Sequence, residues 1–497
     1  MLSHRTRLLV AAVCLAGLPG SFVSTQETEV GRGDLALSLV RLETVLKTVE
    51  LGDEETARVN KAFDSATLKF FARQYGPALQ GINELTVDVD PGAIDEEAKI
   101  YFSLRTHIAP LIYIKGTRVN PVMTITSLYS DPLHGEERTV SGHLLIKHRN
   151  GNVRHRLPFE LTVGPDKPIS LELPLGTDKN HFGSHQYQIA LEGSSGTQYD
   201  MSKWSVVTKS LDVVSAANQS HFDNIRMGDF HTEQAITTVL ARNELITDAP
   251  SLESTSAFLV DPNVLMKEVG EEIKALATKK GQKNPYVGKK GDYWRVLKGP
   301  GKDSIPVRVY LPESAKSDEP LPLVIAFHGA GGDENMFMDA YGVGLIKELA
   351  DEHGFLLVSP LTYAFGGEKM GPNFDLLMKV ITHDYSVNEK RVYVLGHSMG
   401  GGATASLTSV RGEKLAAVAP LCGYRAIVSA PENTPPILAY AAEFDPLVAP
   451  ARIEPEVEKT RAAGNDVEYR LMKNYGHTLV VPEILPDVVE WLLQHEL

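Results

Sequence analysis

Apolar spacing divides the chain into stretches of different period. From Asp34 to Gln80 it is helical, with Leu35, Leu39, Leu42, Val45, Leu46 and Val49 on one face and Ala62, Phe63, Ala66, Phe70 and Phe71 on another. The break at Gly52-Asp53 predicts two helices packed as a hairpin within a helical N-terminal region, residues 27–105. Between about Ile108 and Val214 the period changes to two. Leu111–Ile114, Met123–Thr126, His143–His148, Phe159–Val163, Ile169–Leu173, Tyr187–Leu191 and Trp204–Val207 read as short strands, with turn signals such as Asn150-Gly151 and Gly193–Gly196 between them. That many short strands in so little chain predict an immunoglobulin-like β-sandwich over residues 106–214. Its function is open: carbohydrate or protein binding, or a spacer.

Helical spacing returns over residues 215–285, at Ala235–Leu245 and Val264–Leu276, and ends in the polar, basic stretch Lys279–Pro285. This segment reads as a helical connector and linker. From Asp292 strands and helices alternate. Trp294–Leu297 and Val307–Leu311 form an opening antiparallel pair. Leu321–Phe327, Phe355–Ser359, Val392–Leu395, Leu415–Pro420, Ile437–Tyr440 and Val467–Met472 follow as apolar strands, with helices such as Asp339–Ala350, Asn373–Thr382 and Pro482–Leu493 between them. Residues 286–497 are therefore expected to form a doubly wound, mostly parallel α/β sheet.

The N-terminus carries a different signal. Arg5 and Arg7 precede the apolar run Leu8–Leu18, then Pro19, Gly20 and Ser21. The run is too short to cross a bilayer and reads as a cleaved signal peptide over residues 1–25, so the chain is expected to be secreted or periplasmic. No other segment has the length and apolarity of a membrane span. Cys14 lies in that leader, which leaves Cys422 alone: no internal disulfide can form, and no Cys-rich metal site. Hydrophobic residues at 43% and charged residues at 23% are ordinary for a globular protein of 497 residues. A formal charge of -14 with no Lys/Arg cluster excludes nucleic acid as a partner, because phosphate binding needs a basic surface.

The chemistry concentrates in Val392–Gly402, where an apolar strand runs into Gly-His-Ser-Met-Gly. This is a strand-to-helix turn that holds Ser398 in a strained conformation, with Gly396 and Gly400 small enough for strand and helix to pass. A serine hydroxyl needs a base near neutral pH, and the base needs an orienting carboxylate. In such sheets the partners follow in the order Ser, Asp or Glu, His. Asp445 and His477 meet that order, each just beyond a strand's carboxyl end; Glu443 and Asp466 are the alternatives to Asp445. Oxyanion donors are expected from the backbone N–H of Met399 and from the turn Phe327–Gly332, at Ala330 with Gly329 as alternative. His328 in that turn reads as a structural hydrogen-bonder. Tyr363 and Phe365, beyond another strand, are candidates to line the substrate cleft.

Together these motifs resemble the α/β-hydrolase superfamily. Leu323–Gly329, Arg391–Gly401, Ala416–Gly423, Asp445–Val448 and Gly476-His477 are most similar to the esterases grouped with polyhydroxybutyrate depolymerases and feruloyl or acetyl-xylan esterases. The resemblance covers residues 292–497. Where many of those relatives carry Cys or Thr after His-Gly, this chain has Ala330-Gly331. The resemblance implies ester cleavage through an acyl-serine intermediate without metal or cofactor, on a small-molecule or polymeric ester. Two rival readings stay open: a serine peptidase of prolyl-oligopeptidase type, and a non-catalytic binding protein built on a decayed hydrolase domain.

Overall fold

The computed structural model describes residues 30–497, apart from 91–96, 110–111, 115–120, 130–137, 148–151, 165, 175–182, 193–199, 208–224, 226–227, 246–261, 278–282, 302 and 317–318. The expected signal peptide therefore lies outside the described residues. No helix among them is long and apolar enough to cross a membrane.

The N-terminal region forms helices α1 (Arg32–Leu46), α2 (Asp53–Phe71) and α3 (Tyr75–Val89), and a short α4 (Glu97–Phe102). The expected two-helix hairpin is replaced by a layer in which α1 and α2 each pack on α3. The reason is that α3 supplies a third apolar stripe, Ala78, Leu79, Ile82, Leu85 and Val89, against Leu39 and Leu42 of α1 and Val59 and Phe63 of α2.

Eight strands follow: β1 (Leu104–Ala109), β2 (Ile112–Ile114), β3 (Val122–Ser127), β4 (Thr139–Lys147), β5 (Val153–Thr162), β6 (Ile169–Glu172), β7 (Gly183–Leu191) and β8 (Asp200–Val207). They make a three-stranded sheet, β1-β3-β6, and a five-stranded sheet, β2-β8-β7-β4-β5. Met123 and Ile125 of one sheet share a core with Leu144, Ile146, Phe159, Leu161 and Ile189 of the other.

Helices α5 (Phe230–Glu244) and α6 (Pro262–Leu276) were expected as a connector, yet they pack into the core of the C-terminal sheet. Ala235, Val239, Val269 and Ile273 bury against Leu297 and Ile305. Buried Arg242 fixes the junction, pairing with Glu272 and Glu268 and donating to the Trp294 carbonyl. A desolvated guanidinium needs that many partners.

The C-terminal sheet has strands β9 (Gly291–Lys298), β10 (Ser304–Leu311), β11 (Leu321–Phe327), β12 (Leu356–Pro360), β13 (Val387–His397), β14 (Ala417–Leu421), β15 (Ile437–Ala442) and β16 (Val467–Met472). Its eight strands run in the order β16-β15-β14-β13-β11-β12-β10-β9. β12, β11, β13, β14, β15 and β16 are parallel; β10 and β9 close one edge antiparallel. Helices α7 (Leu345–His353), α8 (Met370–Asp384), α9 (Met399–Arg411), α10 (Pro450–Ala462) and α11 (Val480–Leu493) complete the region. Strand residues are apolar on both faces, as parallel strands covered by helices must be. Leu323, Ile325 and Phe327 of β11 face one core, and Val324 and Ala326 the other.

Candidate active site

The turn between β13 and α9 presents Ser398 with φ 57° and ψ -116°, a conformation that costs energy for any residue with a side chain. Close packing enforces it. A Cβ on Gly396 would lie 2.3 Å from the Gly400 carbonyl oxygen, and one on Gly400 would lie 2.0 Å from the carbonyl oxygen of Phe327. The Ser398 N–H donates to Leu421 O at 2.8 Å, tying the turn to β14.

His477 stands in the loop between β16 and α11, and Asp445 in the loop after β15. The structure brings both to Ser398. His477 Nε2 is 2.8 Å from Ser398 Oγ, and His477 Nδ1 is 2.6 Å from Asp445 Oδ2. Ring geometry then dictates the tautomer: Nδ1–H donates to the carboxylate, and Nε2 is left to accept the serine proton. Asp445 is only 3% exposed, and its other oxygen accepts the N–H groups of Leu447 and Val448, each at 2.8 Å. Burial pushes this carboxyl up, but the His477 hydrogen bond and charge and those two N–H groups outweigh it, so it stays below the usual aspartate range. Glu443 instead accepts the Asn474 N–H, and exposed Asp466 precedes β16 at the far end of the sheet.

Two further side chains hold the site, and sequence reasoning gave neither this role. His397 accepts from Tyr341 Oη at Nδ1, 2.7 Å away, and donates from Nε2 to the carbonyl of His477 at 2.8 Å. Burial first, and the charge of His477 second, lower its pKa to about 3, so it stays neutral. No spacing rule links these positions; only the three-dimensional path of the chain does.

In the turn after β11, His328 accepts the Thr362 N–H at Nε2, 2.9 Å, and its Nδ1 lies 2.8 Å from Gly329 O. Burial lowers its pKa to about 4. It is a clip for the turn, as expected. Ala330 is exposed at the apex of this turn, and Met399 begins α9, where first-turn N–H groups have no helical partner. The Gly331 N–H is engaged by Tyr363 Oη at 2.8 Å. Tyr363 is 51% exposed, whereas Phe365 is 1% exposed and packs against Phe327 in the core with the rings tilted. Of the two candidates for the cleft, only Tyr363 offers surface to a substrate. Cys422 is buried, and burial pushes its thiol well up, which removes it as a rival nucleophile. No cluster of three or more His, Cys, Asp or Glu side chains able to hold a metal occurs among the described residues.

Residues 307–484 match the model of the dienelactone hydrolase family. A bifunctional acetylxylan esterase/xylanase of Neocallimastix patriciarum is 31% identical over 138 residues, 27% of this chain. The chain spans about a fifth (19%) of that relative's length. Among solved structures, a thermostable esterase is 16% identical with a TM-score of 0.38, covering 80% of this chain and all (100%) of that one. An S-formylglutathione hydrolase of Staphylococcus aureus is 17% identical with a TM-score of 0.35, covering 41% of this chain and 98% of that one. Residues 307–484 are thus similar to the dienelactone hydrolase family, and the sheet that holds them has the α/β-hydrolase fold.

Proposed function

We propose that this chain is a secreted serine esterase that cleaves carboxylic esters through an acyl-serine intermediate, with residues 286–497 as its catalytic domain. The observation that carries the reading is the His477 ring, within hydrogen-bonding reach of Ser398 on one side and Asp445 on the other. Ser398 Oγ attacks the ester carbonyl as its proton passes to His477 Nε2. Asp445 steadies the imidazolium through the Nδ1–H bond. The backbone N–H groups of Met399 and Ala330 receive the developing oxyanion, which contributes about 10²–10³ in rate per donor. The imidazolium then protonates the leaving alcohol, and water activated at Nε2 releases the acid.

What surrounds the oxyanion turn supports a substrate class. A cavity of about 130 Å³ opens beside Ala330 and Gly331, walled by Leu35, Leu39, Phe63 and Phe70 of the helical layer. Its apolar walls suit a short acyl chain, and the alcohol side of the ester then lies toward solvent. A polysaccharide-linked or polyester substrate fits that arrangement, and the matched relative is named for acetylxylan. Replacing Ser398 with Ala is expected to lower turnover of p-nitrophenyl acetate by at least about 10³-fold. Retention of most activity would end this reading.

For residues 106–214 we infer an immunoglobulin-like sandwich. What supports it is connectivity: the first strand divides into β1 and β2, and β2 crosses sheets to pair in parallel with the last strand, β8. The remaining order, β8-β7-β4-β5 against β1-β3-β6, is the arrangement such domains share.

A further inference from the structure

The hydrolase loops do not stand alone. Gly476 N–H donates to Asn60 Oδ1 at 2.9 Å, and His477 N–H donates to Asp64 at 3.1 Å to one carboxyl oxygen and 3.2 Å to the other. Both acceptors sit on α2, one helical turn apart. That spacing puts them on one face of the helix, so two successive N–H groups are met by one surface. Both are buried, Asn60 at 3% and Asp64 at 4% exposure. The Asn60 amide is itself fixed, because its Nδ2 donates to Thr56 O at 2.9 Å. The fit is tight: a Cβ on Gly476 would fall 2.0 Å from Asp64 Oδ2. The same helical layer also touches the oxyanion turn. Phe70 lies where a Cβ on Gly331 would be, 2.5 Å from its ring, and Arg32 donates to the carbonyls of Gly331 and Gly332.

We propose that Asp64 and Asn60 are positioning residues of the hydrolase site, holding the Gly476-His477 turn by its backbone so that the imidazole reaches Ser398 and Asp445 together. The inference rests on the esterase reading above. The backbone of His477 is then held at both ends, its N–H by Asp64 and its carbonyl by His397. A ring gripped this way has little freedom, and misplacement by 1 Å costs about 10²-fold in rate. The carboxyl of Asp64 faces Asp445 as well as His477, and burial above all raises its pKa to about 7. The hydrogen bond needs only an acceptor oxygen, protonated neighbour or not, so an amide oxygen at position 64 can replace it.

The test uses the full chain and four variants. Asp64→Ala is expected to lower kcat on p-nitrophenyl acetate by roughly tenfold to a hundredfold, with KM within about threefold of wild type. Asp64→Asn is expected to recover most of that loss, and Gly476→Ala to reproduce it. Val59→Ala hollows the same helix without touching the turn; it lowers the melting temperature and leaves kcat within about twofold. A kcat in Asp64→Ala within twofold of wild type overturns the proposal, as does an equal loss in Val59→Ala at a matched melting temperature. The rate of fluorophosphonate labelling at Ser398 reads the same geometry without an ester. A wild-type chain that is labelled but cleaves no ester refutes the substrate reading, and labelling rates across the variants then decide the positioning role. A wild-type chain neither labelled nor active overturns both.

Discussion

Asp445 commits both oxygens to neighbours, one to the His477 ring and one to two backbone N–H groups, so the carboxylate cannot rotate. Asp445→Asn keeps its size and places an NH₂ where the imidazole proton must be accepted. The ring is then driven to the wrong tautomer, and kcat is expected to fall by about 10⁴. A steady-state comparison on p-nitrophenyl acetate checks this, and a loss below tenfold would return Glu443 to candidacy. At this scale much of the site was legible. A strained serine demands small flanking residues, and the order of its partners along the chain is fixed by the sheet, so local composition points to Ser398, Asp445 and His477. Asp64, Asn60, His397 and Tyr341 were not legible in these roles. Their hydrogen bonds to one another and to the His477 turn span 56 to 416 positions, and nothing in local spacing encodes such a meeting.

Among the elements, α1 carries an unusual burden. Glu43 is buried on it, its Oε1 meeting no hydrogen-bond partner among the described residues. Burial raises its pKa to about 8, although the Gly342 N–H and Lys47 pull the other way. Between about pH 4.5 and 8 the folded chain keeps a proton the unfolded chain has lost, so this group lowers stability as pH rises through that window. His397 acts in the opposite sense: its depressed pKa makes stability fall as pH drops from 6.5 toward 3. Glu43→Gln is expected to raise the melting temperature at pH 8, by about 2–4 °C per kcal/mol recovered, and to leave it unchanged near pH 4.5. Thermal melts at the two pH values check this; an equal shift at both would remove ionisation as the cause. Element by element, strong periodicity was readable. The eight strands of the C-terminal sheet all fall where their apolar runs lie, because strands covered on both faces must be apolar throughout. Helix α3 was missed because Gly76, Pro77 and Gly81 are breakers by composition, and tertiary packing against α1 and α2 overrides them. Strand β1 was missed because Leu104–Ala109 alternates too briefly, through Arg105 and His107.

For the whole molecule, the functional unit is larger than the sheet. The apolar cavity beside Ala330 and Gly331 has one wall from the helical layer and one from the C-terminal sheet's loops. Ala36 lines it and is partly open to it. Ala36→Phe fills that space, and is expected to lower kcat/KM for butyryl relative to acetyl esters by about tenfold, as hydrophobic pockets discriminate by a few methylenes. An unchanged butyryl-to-acetyl ratio would exclude the cavity as the acyl subsite. The sequence divides the chain by period into helical, period-two and alternating stretches. It says little of how they lean on one another, since interfaces are built from residues that look like ordinary core. The clearest instance is α5 and α6, whose linker-like setting conceals helices that complete the hydrolase core.

The grip on the His477 backbone also orders events in time. A ribosome delivers Asp64 413 residues before His477, and a nascent chain tends to fold from its leading end. The acceptors on α2 are therefore made well before the histidine whose backbone they hold. A chain assembled on this schedule cannot seat the His477 ring against Ser398 until β16 and the loop after it have been made.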